Sequence, residues 1–280
     1  MSQLLATKTA ISVSFSISIL FLFLFNNVKS DFSFNFHTFG PEAAKVIGIL
    51  NQASVSNGVI QLTMKDKSGN PLKHSVGQAG IVQPIQIYDK SKGVVADFTT
   101  EFTFVVNKKG RKDHGDGFGF IIISPSFSFP DPKESSGGFL GMFNSHTAFK
   151  SLHQQVVLVE FDSFANEWDP LPISQNAHIG IDVSSIKSVA TTPWASDFRP
   201  DGTVANACIS YNSHAKELSV EVSYPNNGHQ VVANSSLTHH IDLMTVLPEH
   251  VLIGFSASTG DLVETHDILS WSFTSTLVKK

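Results

Sequence analysis

The chain has 280 residues, with 19 Lys and Arg against 24 Asp and Glu, which gives a formal net charge of −5 at pH 7. This acidic balance argues against nucleic acid or another polyanion as a partner. The single cysteine, Cys208, excludes an intrachain disulfide, and its apolar neighbours predict a buried structural thiol.

Residues 1–30 have the layout of a secretory signal peptide. Lys8 precedes an uncharged, mostly apolar run, and Val28 and Ser30 occupy the −3 and −1 positions of a cleavage site. The run is short for a membrane span, which needs about 20 apolar residues. We therefore expect a chain that enters the secretory pathway, is extracellular or vacuolar, and has residues 31–280 as its single mature domain.

Short segments rich in β-branched and aromatic residues recur along the mature chain, and many alternate apolar and polar side chains. They predict strands over Asp31–Phe39, Val59–Met64, Val95–Val106, Phe118–Ile123, Val156–Phe161, Ile179–Val183, Val204–Tyr211, Leu218–Tyr224, Val251–Ala257 and Ile268–Phe273. Turn clusters such as Ser68-Gly69-Asn70-Pro71 separate them, and only Asp242–Glu249 suggests a helical turn. The prediction is an all-β fold: a single-domain antiparallel β-sandwich of the jelly-roll kind, with most of the 23 Phe residues in its core.

A group of acidic residues follows the apolar strand that begins at Val156. Glu160 and Asp162 stand at i and i+2, so their side chains share one face of the strand, about 7 Å apart along it. Asn166 and Asp169 follow on a loop, and His178 opens the next predicted strand. Carboxylate and amide oxygens suit calcium, and carboxylates with one imidazole suit manganese or a similar transition ion. The alternative is a set of solvated loop acids beside a chance histidine.

Two glycine-rich segments carry the remaining polar signals. Asp116 lies among glycines in Gly115–Phe120, and Gly138 lies among small residues in Ser135–Gly141, where open backbone N–H groups allow a ligand to approach closely. Each segment alone is equally compatible with a tight turn. Together with an aromatic ring, such groups are suited to a sugar, because its hydroxyls need hydrogen-bond partners while its C–H face stacks on a ring.

These segments together resemble the legume lectin family over Phe32 to Phe273. Besides the acidic cluster and the glycine segments, the resemblance rests on Ser75-Val76-Gly77, Ala96-Asp97-Phe98, Phe102-Thr103-Phe104, Val159–Asp169, His178–Val189, Gly254-Phe255-Ser256-Ala257 and Leu269-Ser270-Trp271-Ser272-Phe273. It implies a calcium- and manganese-dependent, reversible carbohydrate-binding protein that is not an enzyme. The partners implied are glycans and glycoproteins, and the family commonly forms homodimers or larger homo-oligomers through edge strands.

The resemblance also implies roles for individual residues. The manganese-type ion would be held by Glu160, Asp162, Asp169 and His178, with Ser188 contacting it through water. Calcium would be held by Asp162, Asn166, Asp169 and the carbonyl of Phe164. The sugar would contact Asp116, Gly138, Asn166, the Phe164 ring, Asp261 and Leu262. A cis peptide is expected just before Asp116, where this chain has Gly115 and the family usually has Ala.

The resemblance bears on the sugar class as well. The loop between Gly260 and His266 is short, as in mannose- and glucose-binding members, so we expect these glycans to be favoured over galactose-type glycans. Asp261 and Leu262 are not the usual residues there. A sequon at Asn234 predicts N-glycosylation and fits the secretory route.

Two other functions compete with metal-dependent sugar binding. A jelly-roll glycoside hydrolase needs paired carboxyls about 5–5.5 Å apart, which related enzymes place in a Glu-x-Asp-x-Glu strand; here the third position is Phe164. A lectin-like defence or storage protein without sugar binding would be expected to lose the metal ligands or the glycine segments. This chain keeps both.

Overall fold

The alternation of apolar and polar side chains produces a structure that consists almost entirely of β-strands. We analysed a computed structural model that describes residues 32–149, 154–169, 177–194, 201–225 and 231–279. The predicted signal peptide lies outside the described residues. None of the helices within the described ranges is long and apolar enough to cross a membrane.

The described ranges contain seventeen strands and four short helical turns. The strands are β1 (Phe32–Phe36), β2 (Ile47–Asn51), β3 (Ser54–Ser56), β4 (Val59–Gln61), β5 (Val76–Ile81), β6 (Ile85–Gln86), β7 (Tyr88–Asp89), β8 (Val94–Asn107), β9 (Gly117–Ile123), β10 (Val156–Asp162), β11 (His178–Val183), β12 (Ala190–Pro193), β13 (Val204–Asn212), β14 (Glu217–Pro225), β15 (Val231–His240), β16 (His250–Ser258) and β17 (Thr265–Lys279). The helical turns are α1 (Pro132–Ser135), α2 (Leu243–Val246) and the 3₁₀ turns Ala43–Lys45 and Gly137–Phe139.

The strands form two antiparallel sheets, which confirms the predicted all-β sandwich. The nine-stranded sheet has the order β15-β14-β13-β8-β17-β4-β3, with β1 beside β17 and β7 beside β8. The eight-stranded sheet has the order β12-β11-β10-β9-β16-β5-β2, with β6 beside β16. Half of the neighbouring pairs in these two orders are not consecutive in sequence, so residues far apart along the chain meet in each sheet.

Phenylalanine rings fill the space between the two sheets. The rings of Phe118 on β9 and Phe161 on β10 stack with centroids 4.6 Å apart and planes 6° apart. Phe104 on β8, from the opposite sheet, lies 5.0 Å from Phe118 and 5.3 Å from Phe161. All three side chains are buried. The prediction that most Phe residues belong to the core is confirmed for this central group, whose offset and tilted contacts are those that aromatic quadrupoles favour.

A second, smaller core covers the outer face of the eight-stranded sheet. Even-numbered residues of β10 and odd-numbered residues of β9 face away from the main core, and they pack against the segment that follows α1. This small core contains Ile121, Ile123, Leu140, Met142, Phe143, Ala148, Val156, Leu158 and Ile186. Because both faces of β9 and β10 are buried, these strands are apolar almost throughout.

Three local predictions have clear outcomes. The helical turn expected near residues 242–249 is α2, and the Asp242 side chain caps it by accepting a hydrogen bond from the Met244 N–H. The turn at Ser68–Pro71 is present, with Gly69 at a φ of 79°. The expectation of a buried Cys208 is wrong: this residue is half-buried, because it lies on the outward-facing side of β13.

A pair of leucines tests the position of the main core. Leu218 on β14 is fully buried, whereas Leu50 on β2 is 49% exposed. Leu218→Ala should lower the free energy of unfolding by about 2–5 kcal/mol through lost apolar contacts and a residual cavity. The matched control Leu50→Ala should change it by less than about 1 kcal/mol. Urea unfolding of both variants gives the comparison, and equal losses would contradict this assignment of the core.

Candidate functional site

The register of β10 and β11 brings acidic side chains together on the outer face of the eight-stranded sheet. Glu160 and Asp162 continue the alternation that buries Leu158, so they point to the same face. Asp162 lies opposite His178 on β11. One potential ligand atom from each of Glu160, Asp162 and His178 lies within 4.8 Å of the others. The structure therefore brings together the three residues that the sequence singled out on these two strands.

The side chains of this group are in close contact and are shielded from solvent. His178 Nε2 lies 3.0 Å from Glu160 Oε1, and both side chains are almost completely buried. The Ser188 hydroxyl, from the segment after β11, also donates to Glu160. Gly180 lies opposite Glu160, and a Cβ atom there would clash with both Glu160 and Ser188. A glycine is needed at this position for the group to assemble.

Asp182 belongs to the same buried group, and the sequence analysis missed it as a site residue. It follows His178 and Gly180 on one face of β11, and it lies opposite Leu158 of β10. Its side chain is fully buried, and its Oδ1 lies 2.6 Å from the Ser188 hydroxyl, whose single proton is shared between this carboxyl group and that of Glu160. The available signal was the i, i+2, i+4 alternation of His178, Gly180 and Asp182, which places all three beside the acids of β10.

The electrostatics of the group call for a cation. Burial and the charge of Glu160 raise the pKa values of Asp162 and Asp182 well above the usual range of an aspartic acid. Burial alone would lower the pKa of His178, but its hydrogen bond to Glu160 and the charge of that carboxylate raise it overall. Like charges in a buried site destabilise the ionised forms of these carboxyl groups. A divalent ion would compensate this charge, and the carboxylate oxygens and the imidazole are suitable ligands for it.

The loop after β10 folds back towards the acidic group. The Phe164 N–H donates to Asp162 Oδ1 at 2.6 Å, and the Asn166 N–H donates to Asp169 Oδ2 at 2.5 Å. Burial raises the pKa of Asp169 to about 6, in spite of the hydrogen bond from Asn166. Two carboxylates of the group therefore hold the backbone of the loop that presents Phe164 and Asn166.

Asp116 lies beside this loop, immediately before β9. The Gly115–Asp116 peptide is cis, as the family resemblance implied. The Asp116 carbonyl accepts a 2.8 Å hydrogen bond from the N–H of Ser163, which ties the residue to the end of β10. Its carboxylate is buried, and its Oδ2 has no hydrogen-bond partner among the described residues. Burial, followed by the negative charge of Glu264, raises the pKa of Asp116 to about 7.

The glycine-rich segment lies against Asp116 and Asn166. A Cβ atom at Gly138 would clash with the Asn166 side chain, and one at Gly137 would lie 3.9 Å from both carboxylate oxygens of Asp116. The small core holds this segment through Leu140 and the residues that follow it. The backbone at Gly138 therefore lies close to the Asn166 side chain, at a distance that only glycine allows.

The loop before β17 completes the group. A Cβ atom placed on Gly115 would lie 3.1 Å from Phe164 Cβ and 3.7 Å from Leu262 Cβ, so both side chains flank the Asp116 segment. The Asp261 side chain is 84% exposed and lies 3.3 Å from Lys73 Nζ. Leu262 thus lies within the group, while the Asp261 carboxylate pairs with a lysine at its rim.

Asn234, the predicted glycosylation site, lies apart from all of these residues. It is an exposed residue of β15, in the nine-stranded sheet. A second feature that sequence reasoning missed lies directly behind Asp116, where Glu264 forms hydrogen bonds with His114 and His266. No local sequence signal pointed to the first of these bonds, because His114 and Glu264 are 150 residues apart.

In the metal-free protein, the buried acids should make folding stability fall as the pH rises. With pKa values of about 6 for Asp169 and about 7 for Asp116, the folded chain keeps protons that the unfolded chain has already released. Their stabilising contribution is complete near pH 4 and is lost by about pH 7. In EDTA, we expect the Tm to fall by about 4 °C or more across this range, measured by scanning fluorimetry.

The matched variant for this measurement is Asp182→Asn, which removes one buried carboxylate and keeps its shape. Because the wild-type Asp182 must either hold a proton or carry a buried charge, the variant should unfold at a higher temperature than the wild type at pH 7 in EDTA. The difference should disappear near pH 4, where the wild-type carboxyl is protonated. A variant as pH-sensitive as the wild type would contradict the assigned electrostatics.

Comparison with known proteins identifies the family. The family model of the legume lectin domain matches residues 31–280. Lectin 11 of Medicago truncatula is 57% identical over 278 residues, which cover 98% of this chain and 93% of that protein. The metal-free lectin I-B4 from Griffonia simplicifolia has a TM-score of 0.77 and 38% identity, and the match covers 88% of this chain and all of that one.

A lectin from Bauhinia forficata in complex with GalNAc gives a TM-score of 0.76 and 36% identity, with 88% of this chain and 98% of that chain covered. This chain therefore belongs to the legume lectin family, whose members are carbohydrate-binding proteins rather than enzymes.

Proposed function

We propose that the protein is a secreted lectin that binds glycans reversibly, depends on calcium and manganese, and favours mannose- and glucose-type sugars. One observation carries the proposal. Two buried polar atoms, Asp116 Oδ2 and Asn166 Oδ1, have no hydrogen-bond partner among the described residues, and both lie against the Gly137–Gly138 backbone. A buried acceptor of this kind needs a donor or a cation. A sugar hydroxyl would donate to Asp116 Oδ2, while Asn166 Oδ1 would bind calcium and the Asn166 NH2 group would donate to the sugar.

The neighbouring groups can fulfil the other requirements of a sugar. The Gly138 N–H is available to donate to a ring hydroxyl, because the residue has no side chain to obstruct it. The half-buried Phe164 ring offers an apolar surface for the C–H face of the sugar. Leu262 and Asp261, from the loop before β17, would close the opposite side and contact the sugar through backbone or side-chain atoms.

The same geometry supports the proposed metal ligands. Glu160, Asp162, Asp169 and His178 would hold the manganese-type ion, and Ser188 would contact it through water. Asp162, Asp169, the Asn166 side chain and the Phe164 carbonyl would hold calcium. Ions held by these residues would supply positive charge that keeps the buried carboxylates ionised, and the ligands Phe164 and Asn166 would then be fixed by the metal.

The preference for mannose- and glucose-type sugars rests on the length of the loop between Gly260 and His266. The family resemblance associates a short loop here with mannose- and glucose-binding members. The Bauhinia forficata lectin was solved with GalNAc, so the fold itself accommodates galactose-type ligands as well. The remaining possibility of a lectin-like storage or defence protein without sugar binding is less well supported, because Asp116, Gly138 and Asn166 are all brought together.

The proposal extends to the cellular context. We propose that residues 1–30 direct the chain into the secretory pathway and that residues 31–280 are the mature protein, located outside the cell or in a vacuole. Its partners would be glycans and glycoproteins, and it would assemble as a homodimer or larger homo-oligomer. Asn234 is exposed, as a glycosylation site must be.

The central test is a glycan array probed with the mature protein in calcium and manganese, and again after treatment with EDTA. We expect binding to terminal mannose or glucose residues, at least about 10-fold tighter than to galactose-type glycans, because of the short loop. EDTA should abolish the signal, and restored metals should recover it. Absence of any signal with both metals present would refute the proposed function, whereas a galactose preference would refute only the sugar class.

Two asparagine variants separate sugar contact from metal binding. Asp116→Asn removes a proposed sugar acceptor, so the glycan Kd should rise by about 100-fold or more, while the metal content stays at the wild-type value. Asp162→Asn removes a ligand proposed for both ions, so metal content and glycan binding should fall together. Metal analysis and calorimetry give both quantities. Loss of metal in Asp116→Asn would contradict the division of roles.

A further inference from the structure

Directly behind Asp116 lies a buried, hydrogen-bonded group to which the proposed sugar contacts and metal ligands assign no role. Glu264 Oε2 lies 2.7 Å from His114 Nδ1, and Glu264 Oε1 lies 3.0 Å from His266 Nε2. The side chains of Glu264 and His266 are fully buried and that of His114 is 10% exposed. We call these three residues the carboxylate clamp.

The carboxylate clamp joins the two segments that flank the proposed sugar site. His114 stands two residues before Asp116, and Glu264 stands two residues after Leu262. The bond between His114 and Glu264 therefore spans 150 residues of sequence at the base of both segments. A displacement of either segment at this bond would move Asp116 relative to Leu262.

The other end of the carboxylate clamp is anchored in the sandwich. His266 is the second residue of β17, and its Nδ1 lies 3.1 Å from the hydroxyl of Thr63. The His266 carbonyl accepts a 2.9 Å hydrogen bond from the Leu62 N–H, and its ring lies 6.1 Å from the Phe118 ring. The two ring nitrogens of His266 therefore each have a side-chain partner, Glu264 at Nε2 and Thr63 at Nδ1. The anchor is thus a strand of the main core.

The charge of Glu264 is held in place by its two partners. Burial alone would raise the pKa of this carboxyl, but the hydrogen bonds from His114 and His266 lower it to about 2. A buried ion pair is weak evidence for net stability, since desolvation offsets the attraction; its best-attested use is to specify one arrangement over others. Removing one partner would leave a buried charge poorly compensated.

The exposed contacts of the same loop cannot fix it equally well. Asp261 pairs with Lys73 at 3.3 Å and with His74 at 3.6 Å, but all three side chains are more than half exposed. Exposed ion pairs contribute little and are screened by salt. The bond between His114 and Glu264 is therefore a buried side-chain connection between the Leu262 loop and the Asp116 segment, and it adds to the backbone hydrogen bonds of Asp116 with Ser258 and Gly260.

From this arrangement we propose that His114, Glu264 and His266 are positioning residues for sugar binding: they fix the spacing between Asp116 and Leu262 without touching the sugar. The inference rests on the proposed function and deepens it, because it assigns the geometry of the site to a buried connection that lies outside the metal ligands.

The test uses the mature protein loaded with calcium and manganese, and the best glycan of the wild-type array. His114→Leu removes the donor to Glu264, so the glycan Kd should rise at least about 10-fold, while metal content stays unchanged. His114→Asn keeps an N–H donor near the position of Nδ1 and should stay within about 3-fold of the wild type. Lys73→Ala, which removes only an exposed ion pair of the same loop, should also stay within about 2-fold.

Hydrogen exchange supplies a readout that does not depend on sugar. In His114→Leu, amide exchange should accelerate in residues 113–117 and 260–264 together, with no change in β10 and β11. Glu264→Gln, which retains one acceptor, should show an intermediate effect in both segments. Unchanged exchange in these segments would overturn the inference even if the wild type bound no glycan, whereas weak glycan binding by the wild type alone would count only against the proposed function.

A purely structural role predicts a different pattern. In that case His114→Leu would lower the Tm and accelerate exchange throughout the sandwich, the glycan Kd of the folded protein would match that of the wild type, and the His114→Asn variant would give no selective rescue. This result would also overturn the inference. His114 is the most exposed member of the carboxylate clamp, so its variants are the ones best suited to retain the fold.

Discussion

The site depends on one electrostatic constraint, the collection of carboxylates buried on the outer face of the eight-stranded sheet. Glu160 and Asp162 end a strand that is buried on both faces, and Asp182 joins them from β11. Ionised carboxylates are costly in such surroundings unless positive charge or hydrogen-bond donors compensate them. His178, Ser188 and the loop N–H groups all serve this need. The shape of the loop that presents Phe164 and Asn166 is therefore tied to how the charge is neutralised.

Much of the fold was predictable because the two sheets obey simple periodicity. The acid-bearing strand β10 was expected at Val156–Phe161 and is one residue longer, since Asp162 still pairs with its neighbours. Strand β5 was not among the named predictions, because Gly77 and Gly80 interrupt its pattern. In the structure these glycines allow neighbouring backbones to lie close: a Cβ atom at Gly80 would clash with the Ile253 carbonyl, and one at Gly77 with that of Leu62. Such contacts have no local sequence signature.

The site was predictable to the extent that its residues are close in sequence. The spacing of Glu160 and Asp162 predicts that they are neighbours on one strand face. The glycine-rich segments of Asp116 and Gly138 were equally compatible with tight turns, and their proposed contacts with a sugar came from the resemblance to a family. Asp182 resembled the polar end of an apolar strand, and its burial depends on the register with β10. The contact between His114 and Glu264 is set by the order of strands in space, which composition and spacing do not encode.

The small core beneath the glycine-rich segment has a consequence for how such a protein can diversify. Leu140, Met142 and Phe143 support the segment from the outer face, while the aromatic stack around Phe118 and Phe161 lies on the other side of the sheet. Mutations in the glycine-rich segment therefore affect the packing of the small core, whereas the contacts of the main core between the two sheets are unchanged. Ligand preference can therefore change between relatives while the sandwich is conserved. Selection for a new ligand acts on the outer face of β9 and β10, and selection for stability acts on their inner face.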